Sequence, residues 1–333
     1  MILEGDKVGR YPFTECINGY MPTEKGHVAK ETFYTEYRRL MQIGKIFHQL
    51  KAEGMVSTDN PRKITPKDID AYIGHRRFAG MKPATLLKDL ACLAKLLSYY
   101  DNEAVTKFKT KFPAHVPKKF QKRSPPLEES VVQRILERAA EIPQSNWKML
   151  QSYALVSLAI CTGFRPKELQ MLYANNVHTD GDYMEIFAVH VKGEGTYGTE
   201  RWVTVHPDGV PILKSYMEAR RLKLQQKRMI KEALFPPLTH KHKFLSYNRI
   251  RKLKSFVEED IGEVFELRKC RRTFGQRALN EGHDIHNVSI VMGHQTLATT
   301  QRYYCDKEQH VASREMKDIW KKMRKTEVIE DTE

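Results

Sequence analysis

Between Thr32 and Glu53 apolar residues recur as Phe33, Tyr37, Leu40, Ile43, Phe47 and Leu50. Spacings of three and four draw a stripe along one side of a helix, and Gly54 stands where that helix should end. In residues 65–77, Thr65 suits an N-cap, Pro66 the first helical position and Asp68 the first turn. Residues 82–100 form a second long amphipathic run. The N-terminal region is therefore predicted to be a small helical bundle. The period changes once, in residues 182–207, where β-branched and aromatic residues alternate on either side of a glycine-rich turn. That pattern predicts a hairpin or a three-stranded meander, and the rest reads as helix. The fold class expected is mainly α with a small antiparallel β-sheet.

Charge redraws this picture in one segment. Residues 107–123 hold seven Lys/Arg and no acid, with Pro113 and Pro117 inside. Such a run should neither form a regular helix nor collapse on itself, and it reads as an exposed basic linker over 107–127. Pro125, Pro126, Glu128 and Glu129 then open a new helix and a second domain. Residues 220–231 and 241–254 each add six Lys/Arg and no acid. The whole chain of 333 residues carries 56 Lys+Arg against 41 Asp+Glu, a net charge of +15, which points to a polyanionic partner. At 41% hydrophobic it has enough apolar residues for one or two ordinary cores, and its length makes two domains the first expectation. No run suits a membrane span, and residues 1–13 lack the apolar stretch of a signal peptide, so a cytoplasmic protein is expected. The five cysteines are odd in number and scattered, against both a disulfide framework and a cysteine-rich zinc site.

Four places offer chemistry. Arg165 lies at a turn between an apolar helix ending at Gly163 and a new helix opened by Pro166 and Glu168. A guanidinium beside a helix N-terminus suits a phosphate, and a structural ion pair with Glu168 suits the same residues equally. Lys192 falls at the predicted hairpin tip. Arg268 and Arg271, three apart, share one face of a helix. His294 follows a glycine, and Tyr303 comes nine residues later, beyond Thr299 and Thr300. Histidines 240, 242, 283, 286 and 294 have no familiar metal-ligand spacing, and no metal is expected.

Taken in order, Gly-Phe-Arg-x-x-Glu-Leu at 163–169, the hairpin Lys192, Arg-x-x-Arg-x-Thr-Phe at 268–274, Met-Gly-His at 292–294 and Thr-Thr-x-x-Tyr at 299–303 resemble the tyrosine recombinase family of site-specific integrases. The resemblance implies that Tyr303, rather than Tyr304, is the nucleophile, since the spacing from His294 selects it. It also implies that Arg165 and Arg271 hold the scissile phosphate, that Lys192 and His294 assist, and that Glu168 supports them from behind. One position departs from the family. Arg268 stands where a histidine is usual, and a guanidinium cannot accept a proton at neutral pH. Either Arg268 is a third phosphate ligand or the base role is shared elsewhere.

The chemistry suits these residue types. Attack of a phenol oxygen on a phosphodiester builds charge on two non-bridging oxygens, which guanidinium groups stabilise. The leaving 5′-oxygen takes a proton that Lys192 can donate, and the 3′-phosphotyrosyl link keeps the step reversible without metal or cofactor. The organisation expected is a two-domain DNA clamp. It comprises an N-terminal arm (1–24), a helical core-binding domain (25–106), the basic linker (107–127) with Lys118, Lys119, Lys122 and Arg123 on the DNA backbone, and a catalytic domain (128–309). A C-terminal helix and tail (310–333) carries Met316, Ile319, Trp320 and Met323 as a narrow apolar stripe; the family implies its exchange between subunits. The partner expected is duplex DNA bearing specific recombination sites, with a homotetramer on paired sites, a monomer or weak dimer without DNA, and residence at the nucleoid. The rival readings are a type IB topoisomerase-like relaxase and a catalytically inactive DNA-binding protein of the same fold.

Overall fold

A computed structural model describes residues 11–118, 125–195, 197–304, 316, 317 and 320, the side chains of 302–304 excepted. The chain divides into two compact units, Met1–Lys122 and Arg123–Glu333.

The described part of the first unit is helical: α1 (Pro12–Glu24), α2 (Lys30–Ala52), α3 (Pro66–Phe78), α4 (Pro83–Tyr99) and α5 (Ala104–Lys111). The α2 stripe is inside, with Leu40, Ile43, Phe47 and Leu50 buried. Thr65 and Asp68 form the expected capping box at the start of α3. Phe13 of α1, Phe47 of α2 and Tyr72 of α3 stack in sequence through the core. Asp89 on α4 is buried and accepts hydrogen bonds from Arg39 at 2.5 Å, the Tyr72 hydroxyl at 3.0 Å and Arg76 at 3.3 Å. Burying a carboxylate is costly unless it is hydrogen-bonded in this way.

Two expectations are corrected in this unit. Residues 12–24, assigned to an arm, form α1 and bury Phe13, Ile17 and Tyr20, with Phe13 lying where a Cβ at Gly44 would come within 2.8 Å of it. Residues 107–111, assigned to an irregular linker, are the last turns of α5. Val105 and Phe108 supply that helix with an apolar face, and Pro113 comes only after it has ended. Of the proposed DNA-backbone residues, Lys118 is exposed, and Lys119, Lys122 and Arg123 lie outside the described residues.

The second unit is built round α7 (Trp147–Thr162), which is buried from Leu150 to Thr162 on all sides. Helices α6 (Glu129–Glu141), α9 (Val210–Gln226), α10 (Tyr247–Ile261) and α11 (Leu267–Asn280) pack against it. The short α8 (Pro166–Gln170) follows α7, while α12 (Ile285–Met292) and α13 (Leu297–Tyr304) pack beside α11. The sheet is antiparallel in the order β1 (Val177–Asp180), β2 (Tyr183–Ala188), β3 (Arg201–Thr204), with Phe187 opposite Trp202. Only β2 and β3 fall within residues 182–207; β1 precedes them, and it is short and exposed along most of its length, so it carries no apolar alternation. Among the described residues no helix is long and apolar enough to cross a membrane.

The later basic stretches are partly structural. Arg220 is buried, and its guanidinium donates to the carbonyls of Lys231, Ala233 and Leu234. Lys254 pairs with Glu258 and donates to the Phe265 carbonyl.

Candidate active site

Three segments far apart in sequence meet at the carboxyl end of α12. The first is the end of α7. Gly163 closes that helix in the left-handed region (φ +66°), and a Cβ there would lie 2.6 Å from the Phe274 ring of α11, so both conformation and space call for glycine. The chain then turns into Arg165 and α8. The second is α11, on which Arg271 is only 7% exposed. The third is α12 with the loop into α13.

The carbonyl groups at the end of α12 explain the meeting. A helix leaves its last carbonyls without intrahelical donors, and they carry the negative end of its dipole. Here Gly293, at φ +63°, ends α12 with a six-residue closure: its N–H donates to the Ile290 carbonyl, and the His294 N–H to the Ser289 carbonyl. The next three carbonyls each take a different arginine. Arg201 Nε donates to Val291 at 2.7 Å, Arg271 Nη2 to Met292 at 2.5 Å and Arg165 Nη2 to Gly293 at 2.9 Å. Arg271 Nη1 also donates to the Gly163 carbonyl at 2.6 Å, tying the ends of α7 and α12 to one side chain.

Two of these three guanidinium groups also pair with one carboxylate. Glu168, 2% exposed, accepts from Arg165 Nη1 at 2.7 Å and from Arg201 Nη2 at 2.9 Å, and takes the Arg165 amide as well. Burial alone would raise its pKa; the Arg201 and Arg165 guanidiniums and that amide hold it below the usual carboxylate range. The ion-pair reading of Arg165 is realised, since it pairs with Glu168, and its side chain remains about a quarter exposed. The cluster keeps an excess of positive charge before any anion arrives, the property of a preorganised oxyanion site.

His294 sits next to this cluster. Burial, and then the Arg271, Arg165 and Arg201 charges, push its imidazole down to about 3, so the ring is neutral across the physiological range. Its Nδ1 lies 2.8 Å from the Thr300 hydroxyl of α13. If Thr300 donates, the ring proton is on Nε2, the tautomer that can donate to an oxyanion.

The remaining expected residues are less tightly gathered. Arg268 is exposed, one turn before Arg271 on α11. Lys192 is exposed on a turn in the β2–β3 connection, closed by the Glu194 N–H to the Val191 carbonyl at 3.2 Å, with Gly193 at φ +85°. Tyr303 lies on α13, whose Thr300 is fully buried.

Arg201 is the site residue that sequence reasoning did not single out. It opens β3 at the end of the connection that carries Lys192, and it ties that strand to Glu168 and α12. Its signal was an arginine starting a strand otherwise read for alternation, and its partners lie 33 and 90 positions away.

Comparison with known proteins gives this arrangement a context. Residues 126–310 match the profile of the phage integrase family. The chain is 22% identical over 264 residues to the tyrosine recombinase XerD of Listeria innocua, covering 79% of this chain and 83% of that one. It is 26% identical over 288 residues to the tyrosine recombinase XerC of Pelotomaculum thermopropionicum, covering 83% and 88%. Among solved structures, the XerH site-specific recombinase bound to palindromic difH substrate aligns with a TM-score of 0.66 at 18% identity, over 92% of this chain and 84% of that one. A lambda integrase dimer bound to a COC′ core site aligns with a TM-score of 0.61 at 14% identity, over 89% and 78%. Both structures share the fold.

Proposed function

Because the chain belongs to the phage integrase family, whose tyrosine recombinases cleave and rejoin DNA strands, we propose that Tyr303 is its nucleophile and that Arg165, Arg271, His294 and Arg268 receive the scissile phosphate. The activity is site-specific recombination. In the first step the Tyr303 hydroxyl gives up its proton to water, its oxygen bonds to phosphorus, the bond from phosphorus to the 5′-oxygen breaks, and Lys192 gives that oxygen a proton. A 3′-phosphotyrosyl link and a free 5′-hydroxyl result. A 5′-hydroxyl from a second strand then reverses the step in a new pairing, with no cofactor consumed.

The observation that best supports these roles is the convergence of Arg165, Arg271 and His294, from three separate segments, on the end of α12. A neutral imidazole and guanidinium groups already fixed by carbonyls and Glu168 need little reorganisation when charge builds on the phosphate. Arg268 donates to the phosphate or its neighbour and leaves the base role elsewhere. The test is a nicked suicide duplex built on a site that the protein selects from random-sequence DNA. It should yield a protein–DNA band that survives denaturation and leaves a free 5′-hydroxyl. Binding without any such band would favour the inactive DNA-binding reading. Equal cleavage of unrelated duplexes would favour the topoisomerase-like one.

The DNA partner is duplex bearing paired recombination sites, met at the nucleoid in the cytoplasm, with both units contributing contacts. Lys118, Lys119, Lys122 and Arg123 track phosphates, each contact adding about 0.9 to the slope of log K against log salt. Neutralising all four is expected to flatten the slope measured by titration; an unchanged slope would take the segment off the DNA.

Assembly to a tetramer on paired sites, from a monomer or weak dimer, runs through the C-terminal helix. Met316 and Trp320 of its stripe are 51% and 56% exposed; Ile319 and Met323 lie outside the described residues. Removing residues 309–333 should leave one-site binding nearly intact and abolish the slower paired complex in gel shifts. Loss of one-site binding as well would mean that the helix serves its own subunit.

A further inference from the structure

The turn carrying Lys192 is braced from one side by a residue that the chemistry above does not use. His190 Nε2 lies 3.0 Å from the Tyr173 hydroxyl, and its Nδ1 lies 3.1 Å from the Glu194 carboxylate. Glu194 is the residue whose N–H closes the turn Val191–Glu194, and Lys192 and Gly193 are the two central positions of that turn. One neutral tautomer satisfies the whole chain: the Tyr173 hydroxyl donates to Nε2, and Nδ1–H donates to Glu194. Tyr173 is itself fixed, since it bridges to Ala233 and is flanked by hydrogen bonds from the Leu234 N–H to the Leu172 carbonyl at 2.7 Å and from the Ala174 N–H to the Glu232 carbonyl at 2.8 Å. The same segment, running back through α8, carries Glu168 and Arg165. The other foot of the connection ends at Arg201, bonded to Glu168. Lys192 thus rides on a connection fastened at both feet to the frame that holds Arg165.

We propose that His190 is a positioning residue for Lys192, clamping the Val191–Glu194 turn to Tyr173 so that the lysine ammonium is presented to the leaving 5′-oxygen. The inference rests on Lys192 being the general acid, and on a geometric ground: a long, flexible side chain on an unbraced turn samples many placements, and a misplacement of about 1 Å can lower a rate by up to about 10²-fold.

The test compares single-turnover cleavage of the selected suicide duplex with that of the same duplex in which sulfur replaces the scissile 5′-oxygen. A thiolate is a far weaker base than an alkoxide and leaves without needing a proton. On the oxygen substrate, Lys192→Ala is expected to slow cleavage by about 10² or more and His190→Ala by about tenfold. On the sulfur substrate both should return to within about threefold of the unaltered protein. If Lys192→Ala is not rescued by sulfur, the reading of Lys192 fails and takes this inference with it. If Lys192→Ala is rescued but His190→Ala is not, or if His190→Ala cleaves the oxygen substrate at full rate, the inference alone is overturned. Tyr173→Phe and Glu194→Ala remove the two ends of the clamp separately and should give smaller losses, again rescued by sulfur. They decide the matter should His190→Ala fail to fold.

Discussion

Tyr303→Phe is expected to bind the selected duplex with unchanged affinity and to form no covalent adduct, while Tyr304→Phe forms the adduct. Removing one oxygen deletes the nucleophile and nothing else, so the loss should be complete within detection, larger than for any other single substitution considered. The distinction between neighbours follows from helix geometry, because adjacent residues on α13 point about 100° apart and only one can face the phosphate. Thr300, three residues before Tyr303, is buried and lies against the His294 ring, which sets the register of α13 against the arginine cluster. The check is a denaturing gel of labelled duplex with each variant. An adduct retained by Tyr303→Phe and lost by Tyr304→Phe would reverse the assignment.

Arg271→Ala and Arg165→Ala carry the next largest effects, each expected to lower cleavage by roughly 10² or more with a much smaller change in DNA affinity. The two should differ in stability. Arg271 donates to the Gly163 and Met292 carbonyls at the junction of three helices, and its removal leaves both without that donor, at about 1–3 kcal/mol for each carbonyl left unsatisfied. Arg165 is partly exposed and donates to one carbonyl and to Glu168, which keeps Arg201 as a partner, so its removal should leave the melting temperature closer to that of the unaltered protein. Arg268→His should stay active, because this side chain is exposed and the family resemblance implies histidine at its position. Thermal melting beside single-turnover cleavage separates the cases. Arg268→His as inactive as Arg165→Ala would make Arg268 an obligatory phosphate ligand.

Much of this was legible in the sequence where the relevant physics is local. The α2 stripe, the Thr65–Asp68 box and the Arg165–Glu168 pair each involve residues a turn or two apart, and spacing alone reveals them. The reason for the Met-Gly-His motif was not legible. Gly293 supplies the turn that ends α12, and the carbonyls at that end are met by arginines 21 to 128 positions away. Arg201 was missed for the same reason. Charge misled twice: the lysines of residues 107–111 ride on a helix whose apolar face is Val105 and Phe108, and Arg220, one of a basic run, is buried as a donor to three carbonyls. A charge count registers a side chain's sign and leaves its partners unseen.

Strand exchange between specific sites separates this chain from a relaxase and from an inert DNA-binding protein. The decisive substrate is a supercoiled plasmid carrying two copies of the selected site in direct repeat, with a site-free plasmid in the same tube. Two smaller circles are expected from the first plasmid, none from the same reaction with Tyr303→Phe, and a site-free plasmid that keeps its supercoils. Relaxation of both plasmids without circle formation would contradict site-specific exchange.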